Sequence, residues 1–252
     1  MQTEQAAKTA FRLACEAVYT DRTSPSTIGT LGERMLHAIL KRYLCPDTAC
    51  HEIKVGTYHA DVLCDGHIYE IQTRRLDKLR TKLEHLLQEY DVTVVYPIAT
   101  EKTLSWLDPE TGTLSPARKS PRRGTLYSAL YELYSIRELL LHPRFSFRAV
   151  LCTMQEYRSL TGYGKDKKRR APRCERLPGK LEEDVTFCSR ADYARLIPPS
   201  LGERFTAKEF TAAARIHPRA TWRAMQTLAC LGVVRQVGKQ GNAYLYERGQ
   251  AE

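Results

Sequence analysis

At 252 residues and 42% hydrophobic content, the chain is long enough for one large domain or two modest ones with a proper core, and global disorder is excluded. No run approaches the roughly 20 apolar residues of a membrane helix. The N-terminal stretch is rich in charges and helix formers and lacks the apolar core of a secretion signal, so a cytoplasmic protein without a membrane partner is expected. The net charge is +10, and residues 116–176 carry all of it, with 15 Lys or Arg against 5 Asp or Glu. Concentrated positive charge points to a polyanion, most often nucleic acid, with Lys167, Lys168, Arg169 and Arg170 as its densest part. The plainer alternative for that tract is a solvated loop.

In chain order, residues 1–25 read as an N-terminal helical arm. A second helix is predicted from about Thr30, where Leu31, Met35, Ile39 and Tyr43 recur every four residues as a core stripe. "HEIKVG", "HADVLC" and "HIYEIQT" read as three strands, with Asp65-Gly66 as a two-residue hairpin turn between the last two. "LDKLRTKLEHLLQEY" is an amphipathic helix, and the β-branched run 92–98 is a strand buried on both faces. A further hairpin is expected around "DPETG", a helix over "TLYSALYELYSIRELLLHP", and a strand from "FSFRAVLC". Residues 161–189 read as a basic linker. The eight cysteines are scattered and form no CxxC pair; Cys45, Cys50 and His51 come nearest to a cluster, and reduced, buried thiols are the expectation there.

Each strand of the hairpin 59–75 carries one carboxylate, Asp61 on the first and Glu70 on the second. Side chains two apart on a strand share a face, so Glu70 and Gln72 project together. Asp61, across the Asp-Gly turn, reaches the same region if the register allows, as does the Ile71 carbonyl. Phosphodiester hydrolysis requires such a grouping: a hard divalent cation on oxygen ligands, an activated water and charge neutralisation. Each residue also has a structural reading. Glu33 follows Thr30 at capping-box spacing, Asp61 could satisfy backbone donors, and Glu70 could be ordinary strand alternation.

Taken together, the order helix–β–β–β–helix–β over 30–98, with Asp61, then Glu70-x-Gln72, resembles the PD-(D/E)XK nuclease superfamily. That resemblance implies an α/β fold with a mixed-sheet, restriction-endonuclease-like core over 26–160. It implies a bound Mg²⁺ or Mn²⁺ and a nucleic-acid substrate. Asp61 and Glu70 match the metal-binding acids, Glu33 the helix acid that many members add, and Gln72 stands where the family usually has lysine. Gln72 can hydrogen-bond a water but carries no charge; Lys54, Lys78 or Lys82 are the candidates to replace the lysine.

From about residue 190 a second unit begins. Thr206 and Glu209 have capping-box spacing, Pro218 suits a first helical turn, and two strands surround "GKQGN". This helix–helix–hairpin order is that of a winged helix-turn-helix over 190–252. Its DNA contacts are expected from Arg219, Thr221, Arg223 and Gln226 on the recognition helix and Lys239 on the wing. The leading expectation is a metal-dependent DNA endonuclease targeted by this module. The runner-up is a non-catalytic DNA-binding protein retaining a degenerate nuclease fold, and a third reading is an assembly protein whose winged helix binds a partner chain. Cutting both strands of a duplex usually takes two active sites, which makes a homodimer a candidate assembly.

Overall fold

The computed structural model describes residues 4–21, 35–163, 169–170 and 172–249. Helix α1 (Glu4–Asp21) is followed by α2 (Met35–Leu44), then β1 (His51–Val55), β2 (Tyr58–Cys64) and β3 (His67–Ile71). The β2–β3 turn holds Asp65 at φ 50° and Gly66 at φ 76°, the two left-handed positions of a type I′ hairpin. A 3-10 turn (Leu76–Leu79) leads into α3 (Arg80–Leu86), and then comes β4 (Asp91–Leu107). β5 (Arg118–Lys119) folds back on β4. A helical stretch with α4 (Leu130–Leu133) at its centre precedes β6 (Phe145–Ser159). Two short strands, β7 (Thr161–Tyr163) and β8 (Arg169–Arg170), pair with each other, and β9 (Arg173–Phe187) returns along β6.

The main sheet has seven strands in the order β1-β2-β3-β4-β6-β9, with β5 alongside β4. β3, β4 and β6 are mutually parallel, and the outer pairings are antiparallel. It is thus a mixed α/β fold. Side chains alternate across the pleat, and both faces of the sheet are covered. Val95, Val150, Cys152 and Leu181 pack with Phe11, Val18, Leu36 and Ile39 of α1 and α2. Val92, Val94, Phe147 and Ala149 pack with Leu83 and Leu86 of α3 and with Leu130 and Leu133 of α4.

Four expectations need correction. Within the expected N-terminal arm, α1 is helical but packed rather than detached: Phe11 and Val18 are buried, and the Tyr19 hydroxyl donates to the Pro178 carbonyl at 2.8 Å. β4 is far longer than 92–98. The helix expected over 125–141 is a run of 3-10 turns around one α turn, kinked at Ile136 (φ −122°); its Tyr and Ser residues are indifferent helix formers. Most of the expected linker 161–189 is strand β9. Its alternation was hidden by Pro178-Gly179, where the pairing with β6 slips; proline is tolerated there because β9 is an edge strand.

The C-terminal unit comprises α5 (Arg190–Ala194), β10 (Arg204–Thr206), α6 (Ala207–Ala214), α7 (Pro218–Cys230), β11 (Val234–Gln240) and β12 (Ala243–Arg248). Its sheet runs β10-β12-β11. Thr206 and Glu209 form the expected capping box, and Pro218 opens α7 behind a His217 cap. The unit's apolar core is continuous with that of the main sheet. Ala224, Met225 and Leu228 belong to the same apolar cluster as Leu130, Leu133 and Phe187, so α7 is seated against α4.

Candidate functional site

The β2–β3 register pairs Val62 with Tyr69. One step further, it sets Asp61 opposite Glu70, where facing side chains share one side of the sheet. The β1–β2 register pairs His51 with Val62 and Ile53 with Ala60, which sets Glu52 opposite Asp61. Three carboxylates therefore form a transverse row across three adjacent strands. Glu52 adopts φ 53°, a left-handed conformation uncommon for a side-chain-bearing residue. The oxygens of the row do not all come within 4.8 Å of one another among the described residues, so it is not a closed cage.

Asp61 Oδ2 accepts the Ile71 backbone N–H at 2.6 Å, which fixes that carboxylate against the neighbouring strand. Burial raises the Asp61 pKa, and the Ile71 N–H, His37 and Lys82 act against the rise. Glu70 is only 3% exposed. Burial, joined by the neighbouring Asp61 charge, pushes its carboxyl up to about 7, with Lys82 pulling the other way. The Asp61 backbone N–H makes the smallest contribution to that balance. No donor reaches Glu70 Oε1 within hydrogen-bonding geometry, and that oxygen is buried.

The lysine at this site comes from α3. Lys82 Nζ lies 2.6 Å from Glu70 Oε2 and 2.6 Å from the His59 carbonyl. An ammonium has three donors, so one N–H is left over. Leu83 and Leu86 bury one face of α3, and that docking turns Lys82 toward the hairpin. Lys54 and Lys78 are exposed. Gln72 carries no comparable contact: its Oε1 accepts the Thr73 N–H at 3.3 Å, while its backbone N–H extends the β3–β4 pairing to the Val95 carbonyl. Glu33 lies outside the described residues.

Glu52 and Lys41 were missed in the sequence. Lys41, on α2, has a side chain 5% exposed and pairs with Glu52 at 2.8 Å. Nothing in "HEIKVG" distinguishes Glu52 from an ordinary strand residue.

The residues expected to touch nucleic acid fall into two groups. Arg219 and Lys239 are exposed, Lys239 near the β11–β12 tip and 5.1 Å from the Tyr244 ring. Thr221 and Arg223 are engaged instead. The Thr221 and Thr211 hydroxyls are 2.6 Å apart. The Arg223 guanidinium lies over Tyr131 at 4.4 Å and near Tyr134 at 5.5 Å, so it serves the α7–α4 contact. Gln226 is half-buried on α7. Lys167 and Lys168 lie outside the described residues; of Arg169 and Arg170 only the backbone is described, as β8. Elsewhere the basic segment is partly neutralised from outside: Arg148 by Asp184, and Lys119 and Arg123 by Glu101.

A protein of Treponema pallidum (strain Nichols) described as "Uncharacterized protein" is 27% identical over 224 residues, covering 88% of each chain. No solved structure matches. A family model described as "Domain of unknown function (DUF8091)" matches residues 34–188. That span takes in the carboxylate hairpin, Lys82 and all of β9, and it stops before α5. The chain belongs to the DUF8091 family.

Proposed function

We propose that this protein is a metal-dependent DNA endonuclease whose centre is Asp61, Glu70 and Lys82. The observation that carries the reading is a buried Glu70 whose Oε1 has no hydrogen-bond partner, set opposite Asp61 of the adjoining strand by the β2–β3 register, with a lysine delivered from the following helix. Most buried polar atoms in proteins have a hydrogen-bond partner; of the few here that lack one, Glu70 Oε1 is the only carboxylate oxygen among the described residues, and two adjacent acids with a spare oxygen fit a hard divalent cation such as Mg²⁺ or Mn²⁺. Such an ion would supply Lewis-acid polarisation of the scissile phosphate.

The protein's own groups do the rest. The Ile71 N–H holds Asp61 in place. Lys82 favours the ionised form of Glu70 against burial and the Asp61 charge, and its third N–H is available to orient a water or stabilise charge on the phosphate. In the resemblance to PD-(D/E)XK nucleases, Lys82 takes the role of the missing lysine, and Gln72 is left to strand pairing. The C-terminal unit, in winged-helix order, presents Arg219 and Lys239 to the DNA backbone.

The test is cleavage of supercoiled, linear and branched DNA by the full chain with Mg²⁺ or Mn²⁺. Metal-dependent nicking is expected, lost in Asp61→Asn and Glu70→Gln and reduced about 100-fold in Lys82→Ala. Salt-sensitive DNA binding with no cleavage of any form would instead favour the non-catalytic DNA-binding reading.

A further inference from the structure

At the far end of the same hairpin, three thiols from three separate stretches of chain converge. Cys45 follows the last turn of α2, its N–H donating to the Lys41 carbonyl at 2.9 Å. Cys50 closes the 3-10 turn Thr48–Cys50, which Asp47 caps through the Ala49 N–H at 2.9 Å. Cys64 is the last residue of β2. The Cys45 and Cys64 sulfurs are 3.4 Å apart, and all three sulfurs lie within 4.8 Å of one another. Their spacing, Cys-x4-Cys-x13-Cys, crosses a helix end, a turn and a strand end, so it forms no CxxC pattern, and Cys64 joins Cys45 and Cys50 only once the chain is folded.

We infer that Cys45, Cys50 and Cys64 form a three-thiolate site for a single thiophilic cation of the Zn²⁺ class. A tetrahedral ion with sulfur ligands at about 2.3 Å sets those sulfurs about 3.8 Å apart, inside the range already present. Cys45 is buried, whereas Cys50 and Cys64 are half-buried, which leaves a route in for the ion. No fourth side chain joins the set among the described residues. The nearby His51 places its Nε2 2.9 Å from the Cys45 carbonyl and so braces the loop. The fourth position is therefore left to water or to an exogenous ligand. In the metal-free protein the Cys45 thiol and burial push the Cys64 thiol up to about 12. A cation reverses that balance because it stabilises thiolates. Bound there, the ion ties the C-terminal end of α2 to β2, three residues from Asp61.

The site is tested by titrating the reduced, full-length protein with Co²⁺ and Zn²⁺. Expected are a thiolate-to-cobalt charge-transfer band saturating at one equivalent, its displacement by Zn²⁺, and protection of three of the eight thiols from alkylation by Zn²⁺. The band should persist in Glu70→Gln and in Cys174→Ser and vanish in Cys50→Ser, whose folding is checked by circular dichroism. The protection assay needs no variant, so it decides the matter if Cys50→Ser fails to fold. Absence of the band in folded, reduced wild type, survival of the band in folded Cys50→Ser, or loss of the band in Glu70→Gln alone would overturn the site. So would a failure of Zn²⁺ to protect any thiol.

Discussion

Lys82 on α3 and Glu70 on β3 form an ion pair at 2.6 Å, with side chains 17% and 4% exposed. Removing one member of a buried pair leaves the other charge uncompensated. Lys82→Ala is expected to lower stability by about 2–4 kcal/mol at pH 8, and adding Glu70→Gln should recover much of that loss. Urea unfolding of the two variants checks this; a double variant no more stable than Lys82→Ala would contradict it.

The same carboxyl makes stability depend on pH. Glu70 is raised from 4.5 to about 7 in the folded protein, so the folded state binds more protons than the unfolded state between those values. Its contribution is fully present below about pH 4.5 and is lost as pH rises through about 7. With a chelator present, unfolding free energy should fall over that window with a slope approaching about 1.4 kcal/mol per pH unit from this group. Glu70→Gln should flatten the slope, and an unchanged pH profile in that variant would rule the assignment out.

Divalent metal should raise the melting temperature at pH 7.5, because an ion that binds the folded pair and not the unfolded chain stabilises by mass action, about 2.7 kcal/mol at 100 times its dissociation constant. Asp61→Asn should abolish the Mg²⁺ shift while preserving the Zn²⁺ response of the thiols. Thermal melts with each ion separate the two sites.

In DNA binding, the side chains that are free should outweigh those that are packed. Arg219→Ala with Lys239→Ala is expected to weaken binding and flatten its salt dependence by about two phosphate contacts. Arg223→Ala should cost about 1 kcal/mol of stability through its lost ring contacts and change affinity less. Salt-dependent anisotropy titrations distinguish these outcomes.

Deleting residues 189–252 should expose Leu130, Leu133 and Phe187, which the C-terminal unit helps to cover. A lower urea midpoint and dye binding to apolar surface are expected for 1–188, and the fragment 188–252 should not fold cooperatively. Independent folding of both pieces would show that the shared core is dispensable.

Local signals in the sequence were read correctly where the chemistry is local. The Asp65-Gly66 turn, the Thr206–Glu209 cap and the stripe on α3 each depend on residues within a few positions of one another. The pairing of Asp61 with Glu70 followed from that turn. What stayed hidden depends on contacts between distant segments. Lys82 was one of three lysines that could have reached the hairpin, and only the docking of α3 selects it. The Cys45–Cys50–Cys64 cluster requires α2, β1 and β2 to meet. Arg223 looked like a base-reading residue until α4 was placed beneath it. The charge of 116–176 was counted along the chain, whereas Glu101 and Asp184 offset part of it across the sheet.

β4 has one more consequence. From Val94, which pairs with Glu70, to Leu107 at its end is thirteen steps, about 43 Å of fully extended strand. β6 and β9 stiffen much of that length, and Arg118 and Arg122 stand exposed along its outer half. On the proposed nuclease reading the strand would act as a ruler: a duplex held by both the outer arginines and the carboxylates would be shielded over at most about 13 base pairs, so the protected length would be set by the scaffold rather than by the bases it covers.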